Sequence, residues 1–186
     1  MALELDLRRF TIEEYEGMIA AGILQEDERL ELLDGEIVRM PPIGLPHVVC
    51  VDRLNRLLSR GLEEVIVRIQ SPVVLGQDEP QPDVVLLRYR DDFYAQARPT
   101  PDDILLLIEV ADTSVAYDRR KLPRYAAAGI REVWVVNLVD RHVEVHTEPG
   151  ADGYKRQHVL RHGDAVEVLG LTLKVGDILG EPRPGD

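Results

Sequence analysis

Apolar and polar positions follow two different periods along this chain, and the changes between them predict its elements. Thr11 followed by Glu14 forms a T-x-x-E capping box, and the apolar positions after it run to Gly22, which predicts a first helix ended by glycine. RLELL, Asp34-Gly35 and EIVRM predict a β-hairpin, because Asp-Gly supplies the positive φ angles of a two-residue type I′ turn. Glu31 falls on its first strand. After Pro41-Pro42, the residues His47, Val51, Leu54 and Leu58 recur at helical spacing and predict a second helix from about His47 to Gly61. His47 lies in line with its apolar stripe.

EVIVRIQ, PVVLG and PDVVLLR are three β-branched runs separated by turn residues and read as strands of one sheet. The polar stretch from Asp91 to Asp103 reads as a loop or short helix. ILLLIEV has the unbroken apolarity of a strand buried on both faces, with Glu109 near its C-terminal end. DRRKLPRYAAAG predicts a helix bent in its first turns by Pro123 and closed by Gly129, and EVWVVNL a further buried strand, so the three segments form a βαβ-like unit. HVEVHT, YKRQHVLR, AVEVLG and LTLKVG predict antiparallel strands to finish the fold. The pattern is thus α/β (α+β mixed): a central mixed sheet flanked by helices, with extra antiparallel strands at the C-terminus. No repeat or linker interrupts it, so residues 1–186 read as a single domain with a core over about 10–177 and a short Pro/Gly tail over 180–186.

Composition narrows the chemistry. A single cysteine, Cys50, excludes a disulfide framework within one chain and a thiol-rich zinc site, and fits a reducing cytoplasm. The start MALELDLRRF carries no export signal, and apolar runs such as ILLLI are far short of a membrane span. The net charge of −12 repels polyanions, so a nucleic-acid partner would require local cations or a metal. Of the 22 basic residues 19 are arginine, and the lysines are Lys121, Lys155 and Lys174. In a chain that writes Arg so consistently, Lys121 beyond the buried Glu109 suggests ammonium chemistry: a compact charge able to orient water or hydroxide against a phosphate. The plain alternative is a solvated helix face.

The informative anomaly is acid in apolar strands, since ionised groups are rarely buried without a cation or hydrogen-bonding partner. Asp83 heads VVLL after Pro82, Glu109 interrupts LLLI and V, and Glu31 sits between leucines. If these strands are neighbours, their oxygens would suit a hard divalent cation such as Mg²⁺. Each has a plainer reading: Asp83 as a strand-entry residue, Glu31 as a solvent-facing position, and Glu109 as the partner of Arg119 or Arg124. His47 alone reads more readily as a satisfied core histidine than as a catalytic group.

Pro82-Asp83, then Ile108-Glu109-Val110, then a helix carrying Lys121 resemble the PD-(D/E)xK nuclease pattern. More closely, LELLDGEIV, PIGLPHVVCVDRLNRLL, PQPDVVLL and IEVADTSVAYDRRKLPRYAAAGIREVWVVNL are similar to the Uma-two family of restriction-endonuclease-like proteins, over roughly Phe10 to Asp177. The resemblance implies a restriction-endonuclease-like core and a Mg²⁺-dependent (or Mn²⁺-dependent) cut of a DNA phosphodiester. It implies Asp83 and Glu109 as the metal-binding acidic pair, assisted by the Val110 carbonyl, and Glu31 as an additional acid at a second metal or water. His47 and Gln70 match recurring polar positions, and Asp118 stands close to the lysine. The chain departs from the superfamily pattern at Ala111, where the lysine of E-x-K belongs, so Lys121 would replace it from the next helix. Arg119, Arg120, Lys121 and Arg124 would form a small positive cleft beside Glu109, and a homodimer would pair two such clefts. The competing readings are a noncatalytic interaction or scaffold domain with a degenerate site, which Ala111 favours, and an acidic trio neutralised by arginines with no ligand.

Overall fold

The computed structural model describes residues 7–25, 27–113 and 115–181. Helix α1, Ile12–Ala20, begins at the expected capping box: Thr11 Oγ1 accepts from the Glu14 N–H at 3.2 Å and Glu14 Oε2 from the Thr11 N–H at 3.1 Å. Strands β1, Leu30–Leu33, and β2, Glu36–Arg39, pair antiparallel around Asp34 (φ 52°) and Gly35 (φ 69°), the positive values of a type I′ turn. Helix α2 spans Leu45–Gly61 and so starts two residues before the expected His47, because Pro46 fits the first turn of a helix, where its missing N–H costs nothing.

The main sheet has the order β3-β4-β5-β6-β7-β8 among the described residues. Its strands are β3 (Val65–Ile69), β4 (Val84–Arg88), β5 (Ile104–Ala111), β6 (Glu132–Asn137), β7 (His142–Gly150) and β8 (Gly153–Arg161). β5 and β6 are parallel and every other neighbour is antiparallel, so the sheet is mixed, with the apolar β5 in its interior. One face carries α2, whose Leu54 and Leu58 are fully buried, together with the small β9–β10 hairpin (Ala165–Val168 and Leu171–Lys174) and helix α5, Val175–Leu179. On the other face Tyr125 and Ile130 pack against Val85, Leu107 and Val133. Asp83 and Glu109 therefore sit at the seam between two apolar layers, where any charge must find a partner.

Three expectations change. PVVLG is not a strand: Val73 N bonds Pro80 O at 3.0 Å and Leu75 pairs only with Asp78 in an isolated bridge. Pro72, Pro80 and Pro82 remove the donors that a ladder there would need. DRRKLPRYAAAG is two short helices, α3 (Val115–Arg119) and α4 (Leu122–Ala127), because Pro123 cannot donate to the carbonyl a turn earlier, so the chain restarts a helix at Lys121. The end of LTLKVG turns into α5 rather than continuing as a strand. No helix among the described residues is long and apolar enough to cross a membrane. The tail expected over 180–186 lies, beyond Glu181, outside the described residues.

Candidate active site

The antiparallel pairing of β4 with β5, which sets Asp83 beside Glu109 and Val110, and the break between α3 and α4 bring stranded carboxylates into one place. Glu31, His47, Asp83, Glu109, Val110, Asp118 and Lys121 all line one small cavity of about 30 Å³, enough for a water or two by the usual threshold of ~10–15 Å³. These four acids are buried: Glu31 0%, Asp83 6%, Glu109 1% and Asp118 5% exposed.

Lys121 organises the cavity. Its ammonium is 2% exposed and lies 3.0 Å from Glu109 Oε1, 3.1 Å from Glu31 Oε1 and 3.9 Å from Asp118 Oδ1. The break before α4 makes this reach possible, because Lys121 caps α4 instead of sitting inside a continuous helix. Ala111 occupies the E-x-K position at the end of β5 and is fully buried. Burial alone would lower the Lys121 pKa, but Glu109, Glu31 and Asp118 prevail and hold it above the ordinary value. Burial pushes the Glu109 carboxyl up to about 8, against the pull of Lys121 and with the help of Asp83, Asp118 and Glu31. The acids around this cavity outnumber its one buried ammonium.

Each carboxylate has further partners. Asp83 Oδ2 accepts the Val110 N–H at 2.8 Å, and Asp83 Oδ1 lies 3.0 Å from His47 Nε2 and 3.4 Å from Gln70 Nε2. Gln70 is itself held, its backbone N–H bonding Asp83 O at 3.0 Å. His47 is thus more than a core histidine: its Nε2 meets an acid, and its buried Nδ1 has no hydrogen-bond partner among the described residues. Glu31 Oε2 accepts the Gln81 N–H at 3.0 Å and Oε1 accepts the Tyr117 hydroxyl at 2.6 Å. Tyr125, fully buried on α4, donates its hydroxyl to Glu109 Oε1. Tyr117, Tyr125 and Gln81 were not singled out from the sequence. Only the fold shows that the hydroxyls of Tyr117 and Tyr125 point at carboxylates.

The arginines do not gather beside Glu109. Arg119 pairs with Glu144 on β7, and Arg124 pairs with Asp34 and lies 3.5 Å from Asp78, so neither of these guanidinium groups neutralises the cavity acids. The positive cleft expected from Arg119, Arg120, Lys121 and Arg124 reduces at the cavity to Lys121.

Glu31, Asp83 and Glu109 meet at one cavity, where the Lys121 ammonium lies between Glu31 and Glu109. Among the described residues no group of three or more His, Cys, Asp or Glu side chains is arranged to hold a metal. Two acids with a carbonyl still fit a hard cation by their chemistry. Mg²⁺ commonly takes one or two carboxylates and keeps several waters. Both partners of Glu109 address Oε1, which leaves Oε2 with no hydrogen bond among the described residues, in a polar cavity that Asp83 and Val110 also line.

Residues 12–176 match the Uma-two family, described as "Putative restriction endonuclease". The chain belongs to this family. The Uma-two assignment spans α1 to α4, the main sheet and the C-terminal hairpin, and so covers every cavity residue named above. A crystal structure of a putative nuclease of the DUF820 family from Anabaena variabilis has the same fold, with a TM-score of 0.70, 17% identity, and coverage of 91% of this chain and 97% of that one. No curated protein matches the chain. This Uma-two member thus has a nuclease-like fold whose cavity is built by Glu31, Asp83, Glu109 and Lys121.

Proposed function

We propose that this chain is a metal-dependent endonuclease that hydrolyses phosphodiester bonds of DNA, with Lys121 taking the place of the lysine usually found two residues after the strand glutamate. The observation that carries this reading is the meeting of Asp83, Glu109 and Lys121, from three separate elements, at one small polar cavity. Asp83, Glu109 and the Val110 carbonyl would hold Mg²⁺ or Mn²⁺. When bound, such a cation polarises the phosphate and lowers the pKa of a coordinated water.

The remaining work falls to side chains. The Lys121 ammonium, released from Glu31 or Glu109, hydrogen-bonds the attacking water and a nonbridging phosphate oxygen, where it stabilises the charge that grows in the transition state. Glu31 acts through Lys121 by setting its position. Tyr125 fixes the rotamer of Glu109 and Tyr117 that of Glu31, while His47, Gln70 and the Val110 N–H do the same for Asp83. A buried site of this kind holds its groups aligned before substrate arrives, which is where most of such a rate enhancement originates.

Nicking of supercoiled plasmid with Mg²⁺ or Mn²⁺ tests the assignment: wild type cuts, whereas Glu109→Ala and Lys121→Ala do not. Equal nicking by all three preparations rejects it. A noncatalytic domain is favoured by one feature, the Lys121 ammonium already neutralising Glu31 and Glu109. In that case divalent-ion titration would find no binding that depends on Asp83 and Glu109.

A further inference from the structure

The charge of this chain is unevenly spread. Residues 153–162, GYKRQHVLRH, contain three cations and two histidines and no acid, in a chain of net charge −12. This segment is β8 and the residue after it, and among the described residues β8 is the outer strand of the sheet, hydrogen-bonded only to β7. Lys155, Arg156, Gln157, His158, Val159 and Arg161 are exposed along it. Charge on an edge strand also blocks unwanted strand pairing, which by itself would account for a few basic residues. Their relation to the cavity argues for more.

Alternation places Gln157, Val159 and Arg161 on one side of β8, and Lys155 is exposed near its start. Gln157 Nε2 donates to Glu144 Oε2 at 3.2 Å, and Arg119 Nε donates to the same oxygen at 3.3 Å. The end of α3 therefore lies on this side of β8, and the exposed Arg119 and Arg120 fall in the chain between the cavity residues Asp118 and Lys121. Ala111, Asn137, His142 and Arg161 form one row across β5 to β8. Three strand spacings put Arg161 about 15 Å from β5, less than half of one duplex turn of ~34 Å. Arg156 pairs with Glu148 at 2.9 Å and Arg119 with Glu144. Lys155 and Arg161 make no ion pair among the described residues.

We propose that this β8 edge, continued by Arg119 and Arg120 toward the cavity, is the surface on which the phosphate backbone of duplex DNA lies while a bond is cut at Glu109 and Lys121. The inference rests on the nuclease reading above. It also accounts for how a strongly acidic chain approaches a polyanion, since local cations and not the net charge set the potential a phosphate meets.

The test is fluorescence anisotropy of a short labelled DNA duplex with the full chain, in Ca²⁺ to prevent cutting, over a series of salt concentrations. A second preparation carries Lys155→Glu with Arg161→Glu, both exposed positions whose replacement leaves the fold intact. The variant is expected to bind at least about tenfold more weakly at low salt, with the slope of log affinity against log salt reduced by about 2, one phosphate contact for each lost cation. Wild-type affinity and slope in the variant, alongside wild-type nicking in Mg²⁺, overturn the surface and leave the nuclease reading standing. Absence of duplex binding and of nicking by the wild type overturns both.

Discussion

The Lys121 ammonium lies 3.0 Å from Glu109 Oε1, and the two residues come from different elements, β5 and the start of α4. This one contact joins Glu109 to Glu31 through a shared cation, and in the proposed function it stands in for the lysine that Ala111 lacks. Four expected outcomes follow from it and from its surroundings.

Lys121→Met leaves Glu31 and Glu109 buried without their common cation, a change that costs about 3–5 kcal/mol when a buried pair is broken from one side. Glu109 recovers part of that loss by binding a proton. Urea denaturation of Lys121→Met and of Lys121→Met/Glu109→Gln is the check. The double variant is expected to be the more stable of the two, and a double variant as unstable as the single would show that the ammonium is not what compensates Glu109.

Tyr125→Phe removes one hydroxyl donated to Glu109 without changing the shape of the core. Hydrogen bonds to charged groups contribute about 1.5–3 kcal/mol, so a loss of that order is expected in equilibrium unfolding. Nicking should slow while the affinity for duplex is retained, because the hydroxyl removed is the one donated to Glu109. Unchanged stability would mean that the hydroxyl is satisfied equally well elsewhere.

Asp83→Asn keeps an oxygen able to accept the Val110 N–H but removes the negative charge. Its thermal midpoint should stay close to that of the wild type while plasmid nicking falls by orders of magnitude. Retained nicking would remove Asp83 from the catalytic group.

Acid lability should originate on β7, away from the cavity. Although burial works against it, hydrogen bonds from Arg119 and His142 hold the Glu144 carboxyl below its ordinary pKa, and burial lowers that of His146. Both folded-state values are depressed, so the unfolded chain binds more protons on acidification. The stability they contribute is complete above the ordinary histidine pKa of 6.5. It falls as the pH drops through the folded value of His146 and then that of Glu144. Urea midpoints measured from neutral to acidic pH should decline in the wild type and decline less in His146→Phe. Parallel curves would place the acid sensitivity elsewhere.

Much of the architecture was legible because local rules govern it. The Asp34-Gly35 hairpin follows from positive φ, α1 from reciprocal capping by Thr11 and Glu14, and the interior position of β5 from its unbroken apolarity. PVVLG misled because β-branched residues also fill loops packed on a core: Val73 and Leu75 are buried without being laddered. The candidate acids stood out because a carboxylate in an apolar strand is costly, whereas Tyr117, Tyr125 and Gln81 gave no such signal. A tyrosine on a helix is ordinary until its hydroxyl is seen to face an oxygen.

The order of side chains alone determined which carboxylates could not be left exposed or unpaired, and which stretches would turn, coil or extend, since those preferences act within a few residues. Tertiary structure decided which charge meets which: Lys121 with Glu31 and Glu109, Arg119 with Glu144, and Arg124 with Asp34. Ion pairing depends on distance through space and on how much water the surroundings exclude, and neither quantity is defined until the sheet and its covering helices have closed around the cavity.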